Sequence, residues 1–331
     1  MNMRYAGAVF VVLLAGCSAS QTPNAQNALS GGQRSALVPV SGGLGSRQSP
    51  DVLGHWTTEA AMPTARQFFG VGVINGRLYA AGGYTGGVVN TVEAYNPATN
   101  TWSTNTPMPT TRCCLSAGVI RNIFYAVGGT NLSGRLNLVE AYDPATQVWT
   151  TKAPMPTKRE NFGAAVVNGK LYAIGGFDGT NYLNAVEAYD PATDTWATKA
   201  PMPTMRDDVA VAVIDKTIYA VGGYDGVAPL DTVEAYDCAT DTWTAKRHLP
   251  TARAGPAAGS IGGKLYAIGG FNGTYLATVE AYNPATNRWT TKAPMSTARF
   301  SLGAGVINSV LYGVGGSDHI GVLNTLEAFT P

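Results

Sequence analysis

The chain has 331 residues, of which 45% are apolar and 13% are charged, and it contains 40 glycines, 19 prolines and 16 tyrosines. This composition excludes a disordered chain, a coiled coil and a charged helical bundle, and it favours strands joined by tight turns. The formal net charge is +1, and loss of Arg4 with the segment before Cys17 would leave 21 basic and 21 acidic residues. Such a balance argues against binding to nucleic acid or directly to an anionic membrane.

Residues 1–16 combine one basic residue with an apolar run of 11 residues that ends at Gly16. As a helix this run would span about 17 Å, roughly half of the hydrocarbon core of a bilayer, so it predicts a signal segment and not a membrane span. The sequence Leu14-Ala15-Gly16-Cys17 resembles the lipobox of bacterial lipoproteins, in which the cysteine is acylated and becomes the new N-terminus. The resemblance implies lipidation of Cys17, and Ser18 after it implies the outer membrane. An ordinary secretory signal is the alternative.

Residues 17–51 are small and polar and show no hydrophobic period, which predicts a flexible tether. We therefore expect a protein of the bacterial cell envelope that contacts the membrane only through its lipid anchor. The folded domain is predicted to occupy residues 52–331.

This remaining part of the chain repeats one unit. A Gly-Gly pair recurs every 46 or 47 residues, with first glycines at Gly82, Gly128, Gly175, Gly222, Gly269 and Gly315. The six tryptophans recur at the same intervals, at Trp56, Trp102, Trp149, Trp196, Trp243 and Trp289. In one unit, Asn168-Gly169 predicts a type I′ hairpin and residues 170–174 alternate ahead of the Gly-Gly pair. Each unit is predicted to be a four-stranded antiparallel meander, with strands a to d.

An apolar strand that ends in Gly-Gly, followed by a tyrosine and a tryptophan at fixed spacing, resembles the Kelch repeat. The Tyr/Trp pairs, each seven residues apart, are Tyr95/Trp102, Tyr142/Trp149, Tyr189/Trp196, Tyr236/Trp243 and Tyr282/Trp289. The resemblance covers Gly54 to Pro331 and implies an all-β, six-bladed Kelch-type β-propeller of four-stranded antiparallel blades. Trp56 precedes any Gly-Gly pair, while the last unit lacks its tryptophan strand. An N-terminal strand d is therefore predicted to complete the last blade and close the ring.

One face of such a propeller collects the variable b–c loops and the d–a connections, and we predict that this face binds ligand. An arginine recurs on it, at Arg66, Arg112, Arg159, Arg206, Arg253 and Arg299. The residue after Gly-Gly is often aromatic, as at Tyr84, Phe177, Tyr224 and Phe271. In Kelch domains that bind acidic peptides, residues at these positions line the pocket, so the resemblance implies ligand-binding roles and a carboxylate-bearing peptide or glycan.

Regularly spaced glutamates offer a structural alternative for the arginines. They recur at Glu93, Glu140, Glu187, Glu234, Glu280 and Glu327, within reach of the arginine strand. An arginine that is identical in every blade is better explained by internal pairing than by reading an asymmetric ligand. The positions that differ between blades are better candidates for selectivity: Phe68, Phe69, Cys113, Arg135, Glu160, Asn161, Tyr182, Asp207, Asp208, Tyr275 and His319.

Metal and cofactor chemistry is not indicated. The three histidines, His55, His248 and His319, have no metal-ligand spacing, so we predict neither a metal nor a cofactor. Cys113 and Cys114 are adjacent, and Cys238 is two blades away on the other face, so we expect free thiols, with a vicinal disulfide as the rarer alternative.

Two functions remain open. The first is a monomeric, lipid-anchored, non-enzymatic protein that presents a binding surface to a protein or glycan partner. The second is a periplasmic sugar-processing enzyme, because six-bladed Kelch-like proteins include sialic acid mutarotases. Its candidate acid–base group would be Glu160, Asp207 and Asp208 beside Arg159 and Arg206.

Overall fold

A computed structural model describes residues 53–331, and the predicted signal segment and the whole of the predicted tether, including Cys17, lie outside them. These residues form six four-stranded antiparallel sheets and no helix, which confirms the predicted all-β, six-bladed propeller. Consistent with this, the described residues contain no helix long and apolar enough to cross a membrane.

Each blade has four short strands, named a to d from the axis outwards. The a strands are β2 (Gly70–Ile74), β6 (Ser116–Ile120), β12 (Gly163–Val167), β16 (Ala210–Ile214), β20 (Ala257–Ile261) and β24 (Gly303–Ile307). The b strands are β3 (Arg77–Ala81), β7 (Ile123–Val127), β13 (Lys170–Ile174), β17 (Thr217–Val221), β21 (Lys264–Ile268) and β25 (Val310–Val314). The c strands are β4 (Val92–Asn96), β10 (Val139–Asp143), β14 (Val186–Asp190), β18 (Val233–Asp237), β22 (Val279–Asn283) and β26 (Leu326–Thr330). The d strands are β1 (His55–Glu59), β5 (Thr101–Asn105), β11 (Val148–Lys152), β15 (Thr195–Lys199), β19 (Thr242–Ala245) and β23 (Arg288–Lys292). A small hairpin of β8 (Thr130–Asn131) and β9 (Gly134–Arg135) extends the b–c loop of the second blade.

The a strands contact one another around the whole ring, from β2 through β24 and back to β2. Their small residues allow this approach, since a β-carbon at Gly118 would collide with the side chain of Leu171 in the next blade. The a–b turns have the backbone that the sequence predicts: Asn168 and Gly169 have φ angles of 51° and 73°, as a type I′ hairpin requires.

Hydrophobic side chains form six clusters, one at each boundary between neighbouring blades. The repeated tryptophans reinforce these boundaries from strand d, where each indole nitrogen donates a hydrogen bond to a backbone carbonyl of the preceding blade. The indole donors and their acceptors are Trp56 and Ala293, Trp102 and Ala60, Trp149 and Thr106, Trp196 and Ala153, Trp243 and Ala200, and Trp289 and Arg247. The tryptophans are therefore blade connectors.

The ring closes as the sequence predicts. β1 pairs with β26 in antiparallel register, which places Trp56 opposite Phe329. Their ring centroids are 5.1 Å apart, and the Trp56 indole donates a 2.9 Å hydrogen bond to the carbonyl of Ala293. The first strand of the domain thus completes the sheet that the end of the chain begins.

Closure through β1 predicts that Trp56→Ala lowers the free energy of unfolding by about 2–4 kcal/mol, because the ring contact with Phe329 is lost. His55→Ala, an exposed change on the same strand, is the matched control and should stay within about 0.5 kcal/mol of the wild type. Chemical denaturation followed by fluorescence measures both. Equal stability of the two variants would contradict closure by this strand.

Candidate functional site

The six repeated arginines lie inside the blades. Each side chain is fully buried and forms an ion pair with the glutamate of its own blade. The N···O distances are 2.7 Å for Arg66–Glu93, 3.0 Å for Arg112–Glu140, 2.8 Å for Arg159–Glu187, 2.5 Å for Arg206–Glu234 and 2.6 Å for Arg253–Glu280, and the sixth pair is Arg299–Glu327. This is the arrangement of the structural alternative, in which arginines and glutamates neutralise each other.

In every blade Nη1 of the arginine donates to one or two backbone carbonyls of the b–c segment. Arg253 Nη1 donates to the carbonyls of Gly269 and Thr278, at 2.9 and 3.1 Å, while Nη2 binds Glu280. Thr251 Oγ1 donates a further 2.8 Å bond to Glu280. Burial lowers the pKa of every one of these arginines, to about 10 for Arg112 and Arg206, and the glutamates oppose that shift. The arginines therefore do not line the opening of the central axis at the face of the b–c loops, which is called the mouth here. They hold the loop that follows each Gly-Gly pair.

The buried pair predicts that Arg253→Ala lowers the free energy of unfolding by about 3–5 kcal/mol, because Glu280 is left buried and charged without a cationic partner. The double variant Arg253→Ala/Glu280→Ala should cost less than the sum of the two single variants. Arg247→Ala, an exposed arginine, is the control. Urea denaturation distinguishes these cases, and strictly additive losses would contradict the pairing.

A ring of six residues surrounds the axis at the face that carries the b–c loops. Each residue lies two positions after a repeated arginine and has a positive φ: Phe68, Cys114, Asn161, Asp208, Gly255 and Ser301. The amide of each donates to the carbonyl of the preceding member, and the amide of Phe68 donates to Ser301, with distances from 2.7 to 3.3 Å. This closed belt of backbone hydrogen bonds, called the axial belt here, lines a cavity of about 120 Å³. The backbone of the axial belt is the same in every blade, whereas the six side chains at its positions all differ.

The mouth has two chemically different halves. One half, from the fifth, sixth and first blades, is aromatic: the Phe300 ring lies 5.6 Å from Phe68 and 6.1 Å from Phe271, which in turn lies 5.4 Å from Tyr275. The other half, from the third and fourth blades, is acidic. It contains Glu160, Asp207 and Asp208, which are 5%, 0% and 6% exposed.

Only one of these three carboxylates has a basic partner. Arg135 in the b–c loop of the second blade binds Glu160 at 2.8 Å. Both oxygens of Asp207 and one oxygen of Asp208 are buried without a hydrogen-bond partner. Burial and the nearby charge of Glu160 raise the pKa of Asp207 to about 7. The side chain of Asn161 and the amide of Asp207 itself partly oppose this shift, but neither forms a well-oriented hydrogen bond with the carboxyl group. Burial also raises the pKa of Asp208, with Asp207 and Glu160 adding to the shift.

Family comparisons agree with this architecture. Residues 65–109 and 111–156 match the Kelch motif, and residues 151–316 match the KLHDC2/KLHL20/DRC7 Kelch-repeats domain. The chain belongs to the Kelch-repeat family. No curated protein sequence matches this Kelch protein significantly. Among solved structures, that of YjhT superposes with a TM-score of 0.72 at 18% identity, covering 82% of this chain and 95% of that chain. This likeness shows a shared fold.

The residues predicted to follow Gly-Gly at the mouth of this Kelch propeller are only partly accessible. Tyr84, Tyr224 and Phe271 are half-buried, whereas Phe177 is 5% exposed and packs on Tyr182 with ring centroids 5.1 Å apart. Sequence reasoning selected Phe68, Asn161 and Asp208 but missed three other members of the axial belt, Cys114, Gly255 and Ser301. Their signal was the constant spacing of two residues from each repeated arginine.

The cysteines of the Kelch domain form no disulfide within the described residues. Cys113, Cys114 and Cys238 are free thiols, and the first two sulfur atoms lie 3.2 Å apart. The hydrogen bond from Cys113 and burial raise the pKa of Cys114. Residues 53–331 contain no group of three or more His, Cys, Asp or Glu side chains that could hold a metal ion.

The acidic half predicts a pH dependence of stability. Because the pKa of Asp207 is about 7 in the folded protein against 3.8 for an ordinary aspartate, the folded state binds more protons between about pH 4 and pH 7. The contribution of Asp207 therefore lowers the free energy of unfolding as pH rises through that window. Burial and the charge of Glu160 raise this pKa, and the side chain of Asn161 opposes the shift.

Asp207→Asn removes this titration while keeping the shape of the side chain, so it should raise the free energy of unfolding above that of the wild type at about pH 8 and have less effect at about pH 5. Urea denaturation at the two pH values measures the change. Asp237→Asn, on the opposite face, is the control and should leave the pH profile unchanged. A destabilised Asp207→Asn protein at the higher pH would contradict the assignment.

Proposed function

We propose that this protein is a non-enzymatic Kelch propeller that presents the mouth and its b–c loops as a binding surface for a protein or glycan partner outside the cytoplasm. The observation that carries the proposal is the division of labour among side chains. The arginines and glutamates that repeat in every blade form ion pairs with each other inside the blades. The side chains at the mouth differ from blade to blade, so they could orient an asymmetric ligand.

The b–c loops support a protein partner. Three large apolar side chains lie almost fully exposed at the tips of these loops: Leu132 at 82%, Val227 at 85% and Ile320 at 84%. Met205, in a d–a connection of the same face, is 57% exposed. Such exposed apolar side chains could supply contacts to a protein partner at the face that carries the b–c loops.

The charge of the mouth bears on the ligand. An anionic ligand was expected to use the repeated arginines, but their donors are engaged by glutamates and carbonyls inside the blades. Arg135, which is bound to Glu160, does not replace them. The proposed surface is therefore suited to a ligand that does not depend on a ring of exposed cations.

A photo-crosslinking residue in place of Val227 tests the proposal in cells. It should give discrete partner adducts, identified by mass spectrometry or by glycan staining, because this position lies beside the mouth. The same replacement of Val148, which is also exposed but lies at the start of a d strand on the opposite face, is the control. Adducts of equal yield from both positions, or from Val148 alone, would contradict the proposed face.

Attachment to the envelope is tested separately. If Cys17 is acylated, the wild-type protein should sediment with membranes and Cys17→Ser should appear in the soluble or unprocessed fraction, because a stable anchor needs two or more acyl chains. Fractionation and mass spectrometry of the mature N-terminus measure this. A mature wild-type N-terminus that carries no acyl chain would rule out the lipid anchor.

A sugar-processing enzyme, such as a sialic acid mutarotase or epimerase, is the second candidate. The observation that favours it is the group of buried carboxyls Glu160, Asp207 and Asp208, in which burial raises the pKa of Asp207 to about 7, a value that suits a general acid–base group at neutral pH. Arg159 and Arg206, the expected basic partners, are engaged by Glu187 and Glu234. Anomer exchange followed by NMR tests this candidate, which requires exchange in the wild type and its loss in folded Asp207→Asn.

A further inference from the structure

The mouth contains a rung of three residues in every blade. Each rung joins a residue of the d–a connection, the residue after Gly-Gly and a b–c loop residue through isolated backbone bridges. The rungs are Gln67–Tyr84–Val88, Cys113–Thr130–Arg135, Glu160–Phe177–Tyr182, Asp207–Tyr224–Pro229, Ala254–Phe271–Tyr275 and Phe300–Ser317–Val322. Because the rungs are equivalent, side chains in corresponding positions of neighbouring blades can be compared directly.

At the boundary of the second and third blades, the loop residue of one rung reaches the first residue of the next. Arg135 donates two hydrogen bonds to Glu160, at 2.8 and 3.0 Å. The same guanidinium lies 5.4 Å from the centroid of the Phe177 ring. The guanidinium of Arg135 thus forms an ion pair with the carboxylate of Glu160 and a cation–π contact with the ring of Phe177.

At the following boundary the acid is kept and the cation is missing. Asp207 occupies the position of Glu160, and Tyr224 the position of Phe177, but Tyr182 occupies the position of Arg135. The Tyr182 ring lies 5.8 Å from the Tyr224 ring. Burial raises the pKa of Tyr182 to about 12, and the charges of Asp207, Tyr224 and Asp208 add to the shift, so this ring lies near the two carboxyl groups.

These two carboxyl groups have buried polar atoms without partners. Asp207 is 0% exposed and both of its oxygens lack a hydrogen bond, and the same holds for one oxygen of Asp208. Asp208 also lines the cavity inside the axial belt. Leaving such groups unpaired is costly, and a cation that enters the mouth would remove that cost.

The remaining boundaries provide an internal comparison. Their first rung residues are uncharged: Gln67, Cys113, Ala254 and Phe300. Within residues 53–331, the boundary of the third and fourth blades therefore differs from every other in having a rung acid without a cation from its own chain.

We infer that this boundary binds a cationic side chain, arginine or lysine, of a protein partner, which inserts beside Tyr182 and Tyr224 and pairs with Asp208 and Asp207. The inference rests on the proposed binding function and names the group that the mouth recognises. A peptide-borne cation is favoured over a free amino sugar because Arg135 shows such a side chain on the equivalent acid and ring.

Two short capped peptides test the inference, one with a central arginine and one with citrulline, its uncharged isostere. Binding to the full chain is followed by NMR or calorimetry at millimolar peptide. The arginine peptide should bind at least about 10-fold more tightly than the citrulline peptide. Asp208→Asn should reduce arginine binding to the citrulline level, whereas Asp237→Asn should not change it.

Tyr182→Arg provides the decisive variant, because it should reproduce the Arg135–Glu160 arrangement on Asp207. It should abolish binding of the arginine peptide while remaining folded, and its stability should exceed that of the wild type at neutral pH. Unfolding curves for each variant separate loss of binding from loss of structure.

Equal affinity for both peptides, no arginine binding to the folded wild type, or binding of glucosamine in place of the peptide would overturn this inference. Those results would leave the proposed binding face intact, because the adducts formed from Val227 test that face independently. Conversely, arginine-specific binding without any partner adduct at Val227 would support the cation site and count against the wider binding surface.

Discussion

The propeller depends on a buried guanidinium in every blade. Taking Arg206 as the example, one nitrogen donates to the carbonyls of Gly222 and Thr232 and another pairs with Glu234. The arginine thus joins the d–a connection, the end of strand b and the start of strand c at one point, where backbone groups would otherwise be buried without partners. Because the same contact recurs six times, the axial-belt residues, two positions after each arginine, reach the axis with the same backbone conformation.

Much of this framework was predictable from the sequence. The spacing of tryptophans and Gly-Gly pairs predicted six blades, and the early position of Trp56 predicted the closing strand. The regular glutamates indicated a partner for the arginines. Whether the arginines faced the ligand or the blade interior depended on side-chain direction and on carbonyls contributed by distant loops, which periodicity does not report. The family resemblance pointed towards the ligand, while packing placed the arginines inside.

The mouth was less predictable because it arises where different blades meet. The charge of Asp207 could be read from the sequence, but its lack of a partner could not, since Arg135 and Tyr182 lie in loops of other blades. The same applies to the aromatic half, in which Phe68 and Phe300 come from the first and sixth blades. Residues that are far apart along the chain and do not repeat come together only in the folded propeller. Their chemistry can therefore be judged only from the structure.

The axial belt has a consequence for how the specificity of such a protein can change. Its hydrogen bonds join backbone groups only, so they set no requirement on the identity of the side chains. The requirement comes from φ: glycine, asparagine and aspartate tolerate the left-handed region well, whereas Phe68 and Cys114 adopt it at a cost of about 1 kcal/mol or more each. Each of the six positions therefore accepts a limited set of residue types. A single substitution at one of them can alter which ligand the mouth binds, while the backbone of the ring stays the same.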